Sequence, residues 1–98
     1  MPAYVINDMV VTDPDLFERY KQLSPPTVAL YGGRFLARGG QVETLEGDWL
    51  PRRVVIIEFP SLERAQAWCD SPEYAPAKQL RQQASTSRLI VVEGVAPA

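Results

Sequence analysis

Tyr31-Gly32-Gly33-Arg34-Phe35-Leu36-Ala37-Arg38-Gly39-Gly40, followed by Gln41 to Glu46, a Gly47-Asp48-Trp49-Leu50-Pro51 corner and Arg52 to Phe59, is the stretch whose reading decides the fold. It reads as one long β-hairpin. Arg34 to Arg38 is strand-like, and Gly39-Gly40 suggests a β-bulge, where an extra residue is absorbed without a Cβ clash. Val42 and Leu45 continue the strand, and Gly47, Asp48 and Pro51 are turn formers that send the chain back. The returning arm holds Val54-Val55-Ile56-Ile57, an unbroken apolar run of the kind found in strands buried on both faces.

Upstream, Ala3 to Val11 reads as a strand interrupted by Asn7 and Asp8. Asp13 caps a helix that carries Pro14 at its first position and Leu16, Phe17, Tyr20 and Leu23 on one face. Ser24-Pro25-Pro26 predicts a kink and a second short helix through Val28 and Leu30, stopped by Gly32 in a left-handed cap. Downstream, Pro60-Ser61 ends the strand and caps a helix whose apolar stripe is Leu62, Ala65, Trp68 and Cys69. Ser71-Pro72-Glu73-Tyr74 opens another, in which Tyr74, Ala77, Leu80, Arg81 and Ala84 share a face. Arg88 to Val95 holds Leu89-Ile90-Val91-Val92, a second two-faced apolar run, ahead of a Pro97 tail.

This order predicts an α+β fold, a ferredoxin-like βαββαβ unit with a four-stranded antiparallel sheet, as a single domain over residues 1–98. Right-handed crossovers put the first and third strands at the centre and all helices on one face. Helices cover only that face, yet the third and fourth strands are apolar on both. A large apolar patch left in water is avoided by soluble monomers. The mismatch predicts a homodimer, sheet against sheet.

Composition excludes several functions. At 46% hydrophobic and 22% charged residues the chain is an ordinary globular protein rather than a disordered one. A net charge of −2 offers no basic field for nucleic acid. The apolar runs are too short for a membrane span, and the N-terminus lacks the order of a signal peptide. One cysteine, Cys69, forms no internal disulfide, which fits a reducing cytoplasm. There is no histidine, which removes the commonest general base, the Ser-His-Asp triad, the Cys-His pair and nearly all zinc and haem sites. No metal site and no cofactor are expected.

The hairpin register supplies the candidate site. With the corner near Asp48-Trp49, Leu45 falls opposite Arg52 and Val42 opposite Val55. One bulge residue at Gly39-Gly40 then puts Arg38 opposite Glu58. The first strand lies alongside, so Asn7 or Asp8 joins them. Such a cluster suits a carboxylate or carbonyl, with Arg38 as anion clamp and Glu58 or Asp8 as proton acceptor. The same residues also serve as an ion pair that fixes register or the dimer interface. Tyr74 and Arg81, two turns apart, either close a pocket over the sheet or leave Tyr74 in the core with its hydroxyl at the surface. Tyr20, Tyr31 and Trp68 read first as packing. Cys69, near a helix C-terminus, reads as a small buried hydrophobe. Removal of Met1 would leave Pro2 as an N-terminal secondary amine, but the chain carries Met1 ahead of it.

Taken together, Asp13-Pro14, Pro25-Pro26, Tyr31-Gly32-Gly33, Arg38-Gly39-Gly40, Glu46-Gly47, Glu58-Phe59-Pro60-Ser61, Trp68 and Ser71-Pro72-Glu73-Tyr74 resemble the family called domain of unknown function 1330. The resemblance runs from Tyr4 to Gly94. It implies a dimeric α/β barrel built from two ferredoxin-like subunits, and no established activity. Related dimeric α/β barrels include cofactor-independent monooxygenases, isomerase-like enzymes and haem proteins. The expectation is thus a dimer binding a small anionic or carbonyl-containing molecule. A cofactor-independent oxygenase or isomerase and a purely structural dimer are the alternatives.

Overall fold

The computed structural model describes residues 1–96, and the Pro97 tail lies outside them. Four strands, β1 (Ala3–Val11), β2 (Arg34–Arg38), β3 (Arg53–Phe59) and β4 (Ser85–Glu93), form one antiparallel sheet in the order β2-β3-β1-β4. The first and third strands are central, as the pattern of elements requires. Helices α1 (Pro14–Leu30), α2 (Leu62–Cys69) and α3 (Ala75–Ala84) complete a ferredoxin-like α+β unit. β4 begins three residues before the expected Arg88, because Ala84 closes α3 and Ser85 enters the ladder at once, opposite Val11.

Local chemistry accounts for the ends of these elements. The Asp13 carboxylate accepts from the Leu16 amide at 3.2 Å, and Ser61 Oγ accepts from the Arg64 amide at 3.1 Å. Ser71 Oγ accepts from the Tyr74 amide at 3.1 Å and donates to the Trp68 carbonyl at 2.8 Å, so one hydroxyl joins the end of α2 to the start of α3. Gly32, at φ +78°, ends α1, and the following amides bond back to the Val28 and Ala29 carbonyls.

Two sequence expectations are corrected. The first concerns α1, which runs unbroken for 17 residues through Pro25 and Pro26 instead of restarting as a second helix. Pro25 lacks the amide that would satisfy the Lys21 carbonyl one turn back. Arg38 Nη2 donates to that carbonyl at 2.9 Å, so the gap in the ladder is filled from β2. Thr27 Oγ1 donates to the Ser24 carbonyl at 2.7 Å in the same turn. The second concerns the hairpin. The register of β2 on β3 shifts between Phe35 and Ala37, so the bulge is at Leu36 and not at Gly39-Gly40. Gly39, at φ +72°, is where the chain leaves the ladder after one bond to the Val54 carbonyl. Residues 40 to 52 form an irregular arm with no strand, so Val42 and Leu45 pair with nothing on β3.

The core lies between the sheet and the helices. Ala3, Val5, Asn7 and Met9 of β1 and Val55, Ile57 and Phe59 of β3 point into it, and the alternate residues point away. Trp68 is its centre, 1% exposed, with its ring centroid 4.1 Å from Tyr74 and 5.3 Å from Phe59. Its indole N–H donates to Thr27 Oγ1 at 3.1 Å, which ties α2 to α1. The other face carries a straight row, Ile56–Ile6–Ile90, directly opposed across β3, β1 and β4. Ile90 is 62% and Val92 46% exposed there. No helix of the described residues is long and apolar enough to cross a membrane.

Trp68→Ala removes a fully buried ring and the indole hydrogen bond to the Thr27 hydroxyl. It is expected to lower unfolding free energy by about 3–5 kcal/mol in denaturant titration. A loss under about 1 kcal/mol would contradict this description of the core.

Candidate functional site

The sheet register sorts the charged residues onto opposite faces, and this divides the group expected from the sequence. Asn7 faces the helices, between Val55 on β3 and Leu89 on β4. Asp8, opposite Val54 and Arg88, faces away. Glu58 also faces away, opposite Tyr4 and Arg34. Arg38 is opposite Val55, on the helix side, so the expected opposition of Arg38 and Glu58 does not occur. The bulge at Leu36 is the physical cause. An unbroken ladder from Arg34–Glu58 would have set Arg38 opposite Val54, and one extra residue turns it to the other face.

Each displaced carboxylate has its own cation. Arg34 Nε donates to Glu58 Oε2 at 2.8 Å, and Arg88 Nη2 donates to Asp8 Oδ2 at 2.8 Å. The Trp49 indole N–H donates to the same Asp8 oxygen at 3.0 Å, pinning the irregular arm across the open face. Hydrogen bonds from Trp49 first and Arg88 second hold the Asp8 carboxyl below its ordinary range.

The helix side holds the site that the geometry does assemble. Asn7, Arg38 and Tyr74 of the expected group meet there, with Arg53 and Tyr20, around a void of about 20 Å³, room for a single water. Its walls are apolar and aromatic, including Phe17, Phe35 and Trp68. The Arg38 guanidinium lies over Phe35 at 4.7 Å from the ring centre, and that of Arg53 lies over Phe17 at 5.0 Å. Among the described residues, no carboxylate forms an ion pair with either arginine. Burial first, and the charge of Arg38 second, hold the Arg53 guanidinium below its ordinary pKa. On this face Asn7 Oδ1 and Arg53 Nε are buried with no partner among the described residues.

Tyr74 is fully buried, so its hydroxyl is not at the surface. It accepts from Arg81 Nε at 3.3 Å and is 3.0 Å from the Tyr20 hydroxyl. Arg81, 4% exposed, does not border the cavity and acts on it only through Tyr74. A hydroxyl oxygen accepts twice, so either tyrosine can donate in the Tyr20–Tyr74 bond. Burial, and then the neighbouring Tyr20, hold the Tyr74 phenol far above its ordinary range, so it stays protonated.

Among the described residues, no aspartate, glutamate or cysteine borders this cavity. Cys69 lines a separate groove between α2 and β4. Among the described residues, no group of three His, Cys, Asp or Glu could hold a metal ion. The arrangement offers cations and neutral donors to a bound group and gives it no carboxylate base. Sequence reading missed Arg53 and took Tyr20 for packing. The signal was there for both: Arg53 precedes Val55 and Ile57 at strand spacing, and Tyr20 shares the Phe17 face of α1.

Because the folded state lowers the Asp8 pKa, its ionised form stabilises the docked arm above about pH 4. That contribution disappears as the pH falls through the folded value. Acidification below about pH 4, through the folded value, is expected to shift tryptophan emission, the shift being absent in Trp49→Phe and already present at neutral pH in Asp8→Asn. Emission that stays flat while the fold persists would contradict the pinning.

The sequence matches the model of the family described as a domain of unknown function, DUF1330, over residues 2–95. No curated protein matches it. Among solved structures it is similar to RPA0582 from Rhodopseudomonas palustris, a protein of unknown function, at 25% identity and a TM-score of 0.72, covering 98% of this chain and 84% of that one. SnoaB from Streptomyces nogalater, a cofactor-independent oxygenase, is 16% identical with a TM-score of 0.58, covering 98% and 95%. Rv0793 from Mycobacterium tuberculosis is also 16% identical with a TM-score of 0.58, covering 100% and 99%. The likeness to the last two is one of fold. A family model spanning nearly the whole chain is decisive: the protein belongs to the DUF1330 family.

Proposed function

We propose that this protein is a homodimer, joined through the open faces of two sheets, in which each subunit binds a small carboxylate- or carbonyl-bearing molecule between its sheet and α1. One observation carries the binding reading: Arg38 and Arg53 stand at an aromatic-walled cavity with no carboxylate among the described residues paired to either. Arginines held over aromatic rings suit a planar anion, which takes two parallel N–H bonds from a guanidinium. Asn7 and Tyr20 add a neutral amide and a hydroxyl deeper on the same face. The void has to widen to admit more than a water, and Arg38 is the exposed side chain at its edge.

The dimer reading draws on the Ile56–Ile6–Ile90 row and on the exposure of Ile90 and Val92. The charges on that face are already matched within the chain, as Arg34–Glu58 and Asp8–Arg88. A second copy covering them meets paired rather than lone ions.

The alternative, a cofactor-independent oxygenase or isomerase, draws on the fold shared with SnoaB. Binding stands ahead of it because the cavity offers no carboxylate base and Tyr74 is held protonated.

Sedimentation velocity is expected to give a dimer, and Ile56→Asp a monomer with the same helix content. A wild-type monomer at about 100 μM would remove the dimer. Calorimetric titration with benzoate, pyruvate and acetophenone is expected to show at least one of them binding once per subunit, weakened about tenfold by Arg53→Gln. Binding of none would remove the pocket reading. Oxygen uptake with a quinol, abolished in Arg53→Gln, would replace binding by turnover.

A further inference from the structure

Lys21 and Arg38 are 17 residues apart in the sequence, yet a single hydrogen bond joins them. The Pro25 ring leaves the Lys21 carbonyl of α1 without its backbone donor, and Arg38 Nη2 reaches across from β2 to supply one at 2.9 Å. In that position the guanidinium spans the gap between strand and helix at the cavity mouth, over the Phe35 ring. Its stacking and its single hydrogen bond leave it exposed and without an ion pair among the described residues.

Building on the pocket reading above, we infer that Arg38 is the specificity-determining residue of this site, a guanidinium with two seats, the Lys21 carbonyl and the ligand's anionic oxygen, so that the site selects carboxylates over neutral carbonyl compounds. A neutral carbonyl offers Arg38 an acceptor of the kind it already has on Lys21. A carboxylate offers a charged one, which makes the stronger bond. Exchange of seats is therefore favourable for an anion and nearly neutral for its uncharged analogue. Arg53 supplies the second cation. It lies on the same face, close enough for the charge of Arg38 to act on it, and its Nε has no partner among the described residues. An anion between the two guanidiniums relieves that repulsion, which a neutral ligand does not.

Pro25 sets the depth of the first seat. An alanine there has an N–H of its own for the Lys21 carbonyl, so Arg38 is no longer needed on the helix.

The test is calorimetric titration, in a carboxylate-free buffer, of two matched pairs: benzoate with benzamide, and pyruvate with pyruvamide. The wild type is expected to bind at least one acid about tenfold or more tighter than its amide. Arg38→Gln is expected to abolish that preference, and Arg38→Lys to keep part of it. Pro25→Ala is expected to tighten the acid roughly twofold to fivefold and the amide by no more than the same factor. Amides that bind as tightly as their acids, or an Arg38→Gln variant that keeps the preference, overturn the inference and leave the pocket reading standing. Acid affinity unchanged or weakened in a folded Pro25→Ala variant overturns the two-seat account. Failure of all four compounds to bind overturns the inference together with the pocket reading. Should Pro25→Ala not fold, the acid-to-amide ratio in wild type and Arg38→Gln still decides.

Discussion

The bond between Arg38 and the Lys21 carbonyl depends on one residue of register. Leu36 is the extra residue of β2, and without it Arg38 faces away from the helices. With it, Arg38 turns inward and meets the one carbonyl of α1 that Pro25 leaves without its helical partner. The helix runs on through a proline pair that the sequence reads as a break, and a cation is brought to the mouth of the central cavity. Fold and candidate site share this contact. The helix uses the arginine as a missing backbone donor, and the site uses it as a charge.

The sheet has two faces with different chemistry. Inward, β1 and β3 present Val5, Asn7, Met9, Arg53, Val55 and Ile57 to the helices, and Asn7 lies where Arg53 meets Arg38. Outward, an isoleucine row is bordered by two ion pairs, and the irregular arm is fastened beside it by Trp49 on Asp8. Apolar alternation on both sides of central strands is the normal condition of a sheet covered on both sides. Helices cover the inward face, and in the proposed dimer a second copy of the chain covers the outward one.

Much of the architecture is legible in the residues, since it rests on local rules. Capping by Asp13, Ser61 and Ser71 and the apolar runs in β3 and β4 fix element types and order, and the crossover rule fixes the strand order. The site was only half legible. Asn7, Arg38 and Tyr74 do gather, but Asp8 and Glu58 are on the other face and Arg81 acts through Tyr74. The reading failed because a two-residue periodicity is exact and a bulge is not announced. Gly39-Gly40 has the composition of a bulge, whereas Leu36 has none of it, and a slip of one position exchanges the faces. The Pro25-Pro26 break failed for a related reason. Whether a freed carbonyl ends a helix depends on what tertiary structure brings to it, and that donor is 17 residues away.

A crystal structure of the protein soaked with benzoate tests the central claim most directly. The account predicts the carboxylate between the Arg38 and Arg53 guanidiniums on the helix side, the ring against Phe17 or Phe35, and Arg38 withdrawn from the Lys21 carbonyl. Benzoate seated instead beside Arg88 on the open face, with Arg38 still on Lys21, would contradict it.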